Sequence, residues 1–383
     1  MAVLFFIIYL YFAFHNTVGD FIQFQAAHRA FSSGLNPYDP VVMLELQKSI
    51  NSNQYLALMM WTLPWILPLI CPLGFDANIY LSLYQWTIIS SLLLTSSVII
   101  LLVSNYNSYC NRLALFISLI VAFFSAPFLD VLRLHQTTPI FILSLSLFVL
   151  TIKNQKNFLS GLSMSIWLIK PHLFILMFVC WFLSLKNFKS FIASILGLCA
   201  GCLVLSLLSE IIYPGSNLMW LNTLSFSESS TYDTVSRISW RGANLFGFLR
   251  GHYPTTHPLL LLLPSLIICI SLTFAHFRTN FTLRLLDDLG WIIPLSLFIA
   301  PYGWFYDHAL SVVSTLLTIK IADSNEKLGI IFTLTVLYNI FTGIYYLYLA
   351  NMQHDLWWYP LGCLIIHIAA RAKASKPEEM TTC

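Results

Sequence analysis

The sequence predicts an all-α polytopic membrane protein, and three observations support that prediction. Hydrophobic residues make up 58% of the 383 residues and charged residues only 9%, against roughly 25% charged in a typical soluble domain. The mean hydropathy is +0.77. Apolar blocks fill nearly the whole chain, and about 20 apolar residues are enough for one helical span. We therefore expect one membrane domain over residues 1–370 and a polar, disordered, cytoplasmic tail over residues 371–383.

The apolar blocks predict about twelve membrane-spanning helices. The candidate segments are residues 2–18, 77–103, 112–129, 137–152, 157–170, 171–186, 189–213, 257–277, 289–301, 305–320, 328–350 and 355–370. One more apolar stretch, residues 54–73, contains Pro64, Pro68 and Pro72. Each proline removes a backbone donor and clashes with the preceding helical turn. We predict that this stretch is re-entrant or juxtamembrane and does not cross the bilayer.

The basic residues predict the orientation of the chain, because short cytoplasmic connections carry an excess of Lys and Arg. With residues 54–73 not crossing and the N-terminus in the cytoplasm, the short outer connections contain only one basic residue, Arg133. Both termini are then cytoplasmic, and the outer loops 19–76 and 214–256 lie on the same side. If residues 54–73 crossed, the charge pattern would require an outer N-terminus, which would move Asp20 to the cytoplasmic face.

Asp20 follows the first apolar block and precedes a run in which Phe21, Phe24, His28 and Phe31 share one helical face. Such a helix is expected to lie along the bilayer surface with the carboxylate at its rim. Asp20 is then either the N-cap of this helix, accepting backbone hydrogen bonds, or a general base whose pKa is raised by burial.

Lys170 interrupts a long, otherwise apolar stretch. A charge inside the bilayer costs about 3 kcal/mol unless it has an anionic partner or reaches water. The residue is either a lysine that extends to the interface or a ligand for a lipid phosphate. The following Pro171 fits a break between two spans.

The segment Ala300–Leu310 is a second polar interruption, and it contains Trp304, Asp307 and His308. Aromatic rings beside a carboxylate and an imidazole suit a sugar, whose apolar faces stack while its hydroxyls need hydrogen-bond partners. The alternative is a local pair of Asp307 and His308 that serves packing only.

A basic cluster in the second predicted outer loop contains Arg237, Arg241, Asn244 and Arg250. Positive charge on the outer face runs against the usual bias, so the cluster suggests an anionic ligand such as a polyprenyl phosphate. Attraction to anionic lipid headgroups is the alternative.

The remaining composition excludes several classes of protein. The net charge of the chain is only +3, and the basic residues are scattered along it. This pattern does not indicate nucleic-acid binding. The eight cysteines lie mostly inside apolar runs without metal-ligand spacing. We expect no cofactor and no metal, because a basic cluster can stabilise a phosphate leaving group by itself.

The order of these motifs resembles the polyprenol-phosphate-mannose-dependent α-mannosyltransferase-like family of the GT-C superfamily. The resemblance rests on Asp20 with its helix, Gly34–Asp39, the proline-containing segment after Tyr55, Leu134–Gln136, Ile169–Pro171, and Pro301 with Tyr306–Asp307. It implies a GT-C fold with juxtamembrane helices in the first outer loop. It also implies a polyprenyl-phosphate sugar donor and inverting transfer of a hexose, such as mannose, to a lipid or glycan acceptor on the exoplasmic face. We expect the bacterial inner membrane, with the site on its periplasmic side.

Carried onto this chain, the resemblance implies that Asp20 is the catalytic base and that Lys170 binds the donor phosphate, and Arg237 and Arg241 are predicted to assist it. The predicted sugar and acceptor ligands are Asp307, His308, Gln136, Tyr38, Trp304 and Asn244. The family's Gly-Gln motif is here His135-Gln136, which leaves the sugar and the acceptor open.

Two other classes of protein compete with this prediction. A transporter or flippase of lipid-linked sugars would use the same lysine and aromatic residues along a translocation path. However, no inverted repeat is visible, and the polar residues gather on one predicted side. A structural membrane subunit would leave those polar residues unexplained. The enzyme hypothesis requires that Asp20, Lys170 and Asp307 meet in the folded chain.

Overall fold

A computed structural model provides the coordinates of the protein. It describes residues 20–50, 56–72, 74–75, 78–105, 125–185, 187–225, 242–253, 260, 263–278, 285–324, 327–349 and 353–372. These ranges are predominantly helical and contain no β-strand. The all-α prediction is therefore confirmed for this part of the chain.

The α-helices are α1 Phe21–Ser32, α2 Pro40–Ile50, α3 Ile66–Ile70, α4 Ile79–Asn105, α5 Ala126–Leu134, α6 Thr138–Lys153, α7 Asn157–Met164, α8 Ile175–Ser184, α9 Phe188–Ile212, α10 Ser216–Ser225, α11 Leu245–His252, α12 Leu263–Arg278, α13 Leu285–Ile299, α14 Ser311–Ser324, α15 Leu328–Ile344 and α16 Tyr359–Arg371. Short 3₁₀ segments at Ser165–Ile169, Pro171–Leu173, Phe305–Leu310 and Gln353–Leu356 join several of them. A π-helical turn, Tyr345–Leu349, extends α15.

Three helical stretches are long and apolar enough to cross a bilayer, judged by length and composition: Ile79–Leu101, Phe188–Ile212 and Leu328–Tyr348. Rows of exposed leucine, isoleucine and valine side chains lie along all three, as expected for surfaces that face lipid tails. Other apolar helices, such as α6 and α8, are shorter than 18 residues. The predicted total of about twelve spans remains a prediction, and the predicted span 2–18 and most of 112–129 lie outside the described residues.

The proline-containing stretch 54–73 does not form a straight span. Within its described part the only α-helix is the five-residue α3, about 7.5 Å long, against roughly 30 Å of bilayer hydrocarbon. Gln47 of α2 holds the irregular part through two bonds, donating to the Leu58 carbonyl at 2.6 Å and accepting from the Leu58 amide at 2.9 Å. The described part is therefore not a straight helical span, and its re-entrant or juxtamembrane position stays a prediction.

Helix α1 forms where the amphipathic run predicted it, and it is packed more fully by protein than a helix with one buried face. The buried residues are not confined to one face: besides Phe21, Phe24 and Phe31, they include Gln25 and Ala26. Small side chains allow neighbouring elements to approach closely, and α2 packs against α1. The predicted juxtamembrane helix is thus largely enclosed by protein.

The predicted spans 157–170 and 171–186 are separated by an irregular break. Helix α7 ends at Met164, two 3₁₀ segments follow, and α8 begins at Ile175. Lys170 has φ −130° and ψ 64° between the two 3₁₀ segments, because the ring of a following proline disfavours the helical conformation of the residue before it. The rings of Trp167 and Phe174 stack across the break, with centroids 4.8 Å apart.

Candidate active site

Helix α5 and the turn after it position Gln136 beside the carboxylate of Asp20. The helix ends at Leu134, His135 adopts a left-handed conformation with φ 52°, and the Gln136 amide closes the turn on the Val131 carbonyl at 3.1 Å. The side chain of Gln136 then donates from Nε2 to Asp20 Oδ2 at 2.6 Å. Two residues 116 positions apart in the chain thus meet.

The side chain of Asp20 does not cap helix α1, which was one of the two predicted roles of this residue. It stands at the N-terminus of α1, but its carboxylate makes no capping hydrogen bond. Burial raises the pKa of Asp20 to about 6, and the nearby charge of Asp130 adds to that rise. The cations Lys170 and Arg133 and the hydrogen bond from Gln136 act in the opposite direction. A carboxyl group with this pKa changes protonation close to neutral pH.

Lys170 forms a buried ion pair with Asp307. Nζ lies 2.8 Å from Asp307 Oδ1, and the side chains are 9% and 1% exposed. Nζ also lies 5.1 Å from the ring centroid of Tyr306 and 5.7 Å from that of Phe141, distances at which a cation is attracted to an aromatic ring. The lysine therefore does not extend to the interface, and Asp307 is bonded to Lys170 and not to a neighbouring histidine.

The second oxygen of Asp307 is engaged by its own segment. Oδ2 accepts the backbone amide of Trp304 at 3.0 Å. The indole of Trp304 donates to the hydroxyl of Tyr302, and the ring of Tyr302 contacts that of His172 with centroids 5.4 Å apart. Trp304 is half-buried, and its backbone, not its indole, contacts the carboxylate of the ion pair.

Asn244 and His308 connect the predicted second outer loop to the segment that carries Asp307. His308 Nε2 donates to the carbonyl of Ala243, and the Ala243 amide donates to the Gly303 carbonyl at 2.8 Å. Asn244 caps α11 by accepting the amide of Gly247 at 2.7 Å. Both predicted ligands are therefore fully enclosed and have structural partners.

Three predicted ligands are not brought to this site by the described residues. Tyr38 is 1% exposed, donates to the Thr62 carbonyl at 3.3 Å and packs against Phe31, inside the first outer loop. Arg237 and Arg241 lie outside the described residues. Their predicted contact with phosphate stays a prediction.

The structure adds a group that the sequence analysis did not assign to the site. Asp130 and Arg133 of α5 form an ion pair at 2.8 Å, and Tyr346 contacts both of them. The available signal was the spacing of opposite charges three residues apart, just before Gln136. That spacing is also common on ordinary helix surfaces, so it did not single them out.

The site thus combines a carboxyl group whose pKa is raised to about 6, an amide that donates to it, and a buried ammonium whose partner is a second carboxylate. The fold and this site define a polytopic membrane protein with a cluster of buried polar and charged side chains among apolar helices. Residues 64–301, more than half of the chain, match the family model of glycosyltransferase family 87. The chain belongs to glycosyltransferase family 87, and it is a membrane glycosyltransferase.

The match includes Gln136 and Lys170, whereas Asp20 and Asp307 lie outside it. Comparisons with curated proteins and with solved structures give no match. Membership of the family agrees with the glycosyltransferase class expected from the motifs, and it favours an enzyme over a transporter or a structural subunit.

Proposed function

We propose that the protein transfers a hexose, with mannose as the first candidate, from a polyprenyl-phosphate sugar to a lipid or glycan acceptor, with inversion at the anomeric carbon. The proposed site faces the exoplasmic side of the bacterial inner membrane, with both termini in the cytoplasm. The observation that supports this reaction is that the charge of Lys170 acts on the buried carboxyl group of Asp20. A base and a cation in one site suit both proton removal from the acceptor and departure of the phosphate.

Asp20 is the best-suited base among three neighbouring carboxylates. Both oxygens of Asp307 accept hydrogen bonds, one of them from a cation. Asp130 also has an unbonded oxygen, Oδ2, but its Oδ1 is paired with the cation Arg133 and bonded by Tyr346, and the cation favours its charged form. Asp20 accepts one bond, from Gln136 at Oδ2, and within the described part of the chain its Oδ1 has no partner. A carboxylate with a free oxygen and a raised pKa is suited to accept a proton.

Lys170 is the group proposed to neutralise the leaving phosphate. An ammonium has three donors, and Asp307 uses one of them. The acceptor hydroxyl gives its proton to Asp20 while its oxygen bonds to the anomeric carbon. The bond from that carbon to the phosphate oxygen breaks on the opposite face, and its electron pair stays on the phosphate. This chemistry needs no metal, in line with the expected metal independence.

The other predicted ligands receive supporting roles in the proposal. Gln136 orients Asp20, and Trp304 offers an aromatic face to the sugar. Arg237 and Arg241 attract the lipid phosphate to the outer surface. Asn244, His308 and Tyr38 support the loops that surround the site.

The test compares transfer from polyprenyl-phosphate mannose to membrane lipid extracts by the wild type and by Asp20→Asn. The variant is expected to lose turnover and to keep donor binding, because the amide keeps the shape of the side chain but cannot accept the proton. Asp39→Asn is the matched control: Asp39 belongs to the same loop, where its Oδ1 accepts the Val41 amide at 2.8 Å, a bond that an asparagine oxygen can replace. Full activity of Asp20→Asn would remove Asp20 from the base role.

A further inference from the structure

One nitrogen of the Arg133 guanidinium, Nη2, makes the polar contacts that fix this side chain. Its Nη2 contacts Asp130 Oδ1 at 2.8 Å and donates to the hydroxyl of Tyr346, which in turn donates to the same Asp130 oxygen at 2.8 Å. The guanidinium carbon lies 5.2 Å from the ring centroid of Tyr346. Two polar partners and one aromatic ring therefore hold the guanidinium in one orientation.

The remaining donors of Arg133 are unused. Nε is buried and has no hydrogen-bond partner among the described residues, and Nη1 has none among them either. The side chain is 39% exposed, so the group is accessible from one side. Because Nε is buried, an anion would meet the guanidinium at Nη1.

This guanidinium lies beside the site described above. Arg133 is three residues before Gln136, which bonds Asp20, and its charge acts on Asp20 together with that of Lys170. Helix α5 packs against the segment Phe305–Leu310. The ring of Tyr346 contacts that of Phe305 with centroids 4.8 Å apart, two residues before the partner of Lys170.

We propose that Arg133 is a second cation that binds the phosphate of the lipid donor, opposite Lys170, and that Asp130 and Tyr346 are positioning residues that fix its guanidinium. This inference rests on the proposed function, since it requires a lipid-phosphate donor. Both hydrogens of Nη2 are used by Asp130 and Tyr346, so the phosphate accepts a charge-assisted hydrogen bond from Nη1. Lys170 then supplies a point charge, and Arg133 sets the orientation of the phosphate.

The test measures binding of polyprenyl phosphate and of the uncharged polyprenol of the same length to the purified full chain. Arg133→Gln is expected to weaken polyprenyl-phosphate binding about tenfold or more and to leave polyprenol binding unchanged. Arg133→Lys should restore only part of the lost affinity, because it keeps the charge without the planar group that Asp130 and Tyr346 orient. Tyr346→Phe should weaken the binding of polyprenyl phosphate by a smaller factor and leave the binding of polyprenol unchanged.

Arg371→Gln is the matched control. Arg371 is also 39% exposed and pairs with an aspartate, Asp288, at 3.0 Å, near the N-terminal end of α13, whereas the C-terminal end of α13 leads into the site. This control should bind both ligands as the wild type does. The melting temperature of each variant separates loss of fold from loss of binding.

Equal weakening of phosphate and polyprenol binding in Arg133→Gln would assign Arg133 a purely structural role and overturn the inference. Unchanged phosphate binding in Arg133→Gln, together with a loss in Lys170→Ala, would overturn the inference and leave the proposed function intact. A wild type that binds polyprenyl phosphate no better than polyprenol would overturn both.

Discussion

At the residue scale, three neighbouring carboxylates differ in the groups that face them. Asp307 is paired with an ammonium at 2.8 Å, Asp130 is paired with a guanidinium at 2.8 Å, and Asp20 is hydrogen-bonded by the neutral amide of Gln136 at 2.6 Å. A nearby cation stabilises the charged form of a carboxyl group, whereas burial destabilises it. The different partners explain why Asp20 is the one suited to exchange a proton.

The first prediction concerns the pH dependence of transfer. The working form of Asp20 is the carboxylate, so kcat/KM should fall as the pH drops through about 6, the raised pKa of Asp20. The hydrogen bond from Gln136 lowers this pKa, so Gln136→Leu should move the acid limb of the profile to higher pH. The measurement is kcat/KM from pH 5 to pH 8 for both proteins. An acid limb at the same pH in the variant would contradict the role of Gln136.

The second prediction concerns the buried ion pair. Asp307→Ala leaves the ammonium of Lys170, whose side chain is 9% exposed, without its counter-ion. Removing one partner of a buried ion pair costs about 3 kcal/mol of stability. The melting temperature should therefore fall clearly. Adding Lys170→Met should restore much of the stability, because the unpaired charge is gone, but it should not restore transfer. A double variant as unstable as Asp307→Ala would show that the charge is not the cause.

At the element scale, the site is held by helix packing that uses glycine where backbones approach. A Cβ atom on Gly161 of α7 would collide with the backbone of Ser194 in α9, and one on Gly197 would collide with that of Phe158. Small residues at such interfaces allow close contact between membrane helices. This contact supports the helix that leads into the break at Lys170.

The third prediction tests this helix contact. Gly161→Ala should lower stability by about 1–3 kcal/mol, since the added methyl group meets backbone atoms that cannot rotate away. Gly329→Ala is the control, because a Cβ at Gly329 meets nothing within 4 Å. The measurement is the melting temperature of both variants in the same detergent. Equal melting temperatures would contradict the tight packing of α7 on α9.

At the scale of the whole molecule, the proposed exoplasmic orientation can be tested by labelling. Ser33 and Asn154 are both exposed, one at the C-terminal end of α1 and the other just after α6. In the proposed orientation the first lies outside and the second inside. Both positions are polar and outside the apolar helices, so either can react with a water-soluble reagent.

The fourth prediction follows from this orientation. A membrane-impermeant thiol reagent should label Ser33→Cys in intact spheroplasts, and it should label Asn154→Cys only after the membrane is permeabilised. The wild type gives the background from the native cysteines. Labelling of Asn154→Cys alone in intact spheroplasts would reverse the orientation and move the site to the cytoplasmic face.

Much of the class and part of the site could be predicted from the sequence by itself. Charges are so scarce in this apolar chain that Asp20, Lys170 and Asp307 stand out, and the prolines of residues 54–73 already argued against a straight span. Helix position and break position follow from local rules of hydrophobic period and proline geometry. The membrane class and the residues that form α1 could therefore be predicted without tertiary information.

The tertiary structure decided which of those charges face each other. Asp20 and Gln136 are 116 residues apart, and Lys170 and Asp307 are 137 residues apart, so their pairing depends on how the helices pack. Packing also enclosed α1, which a one-dimensional amphipathic pattern could not show, and it brought Tyr346 to Arg133. Local sequence rules act over a few residues, whereas desolvation and charge pairing depend on every element that surrounds a group, which is why the chemistry of Asp20 emerged only in the folded chain.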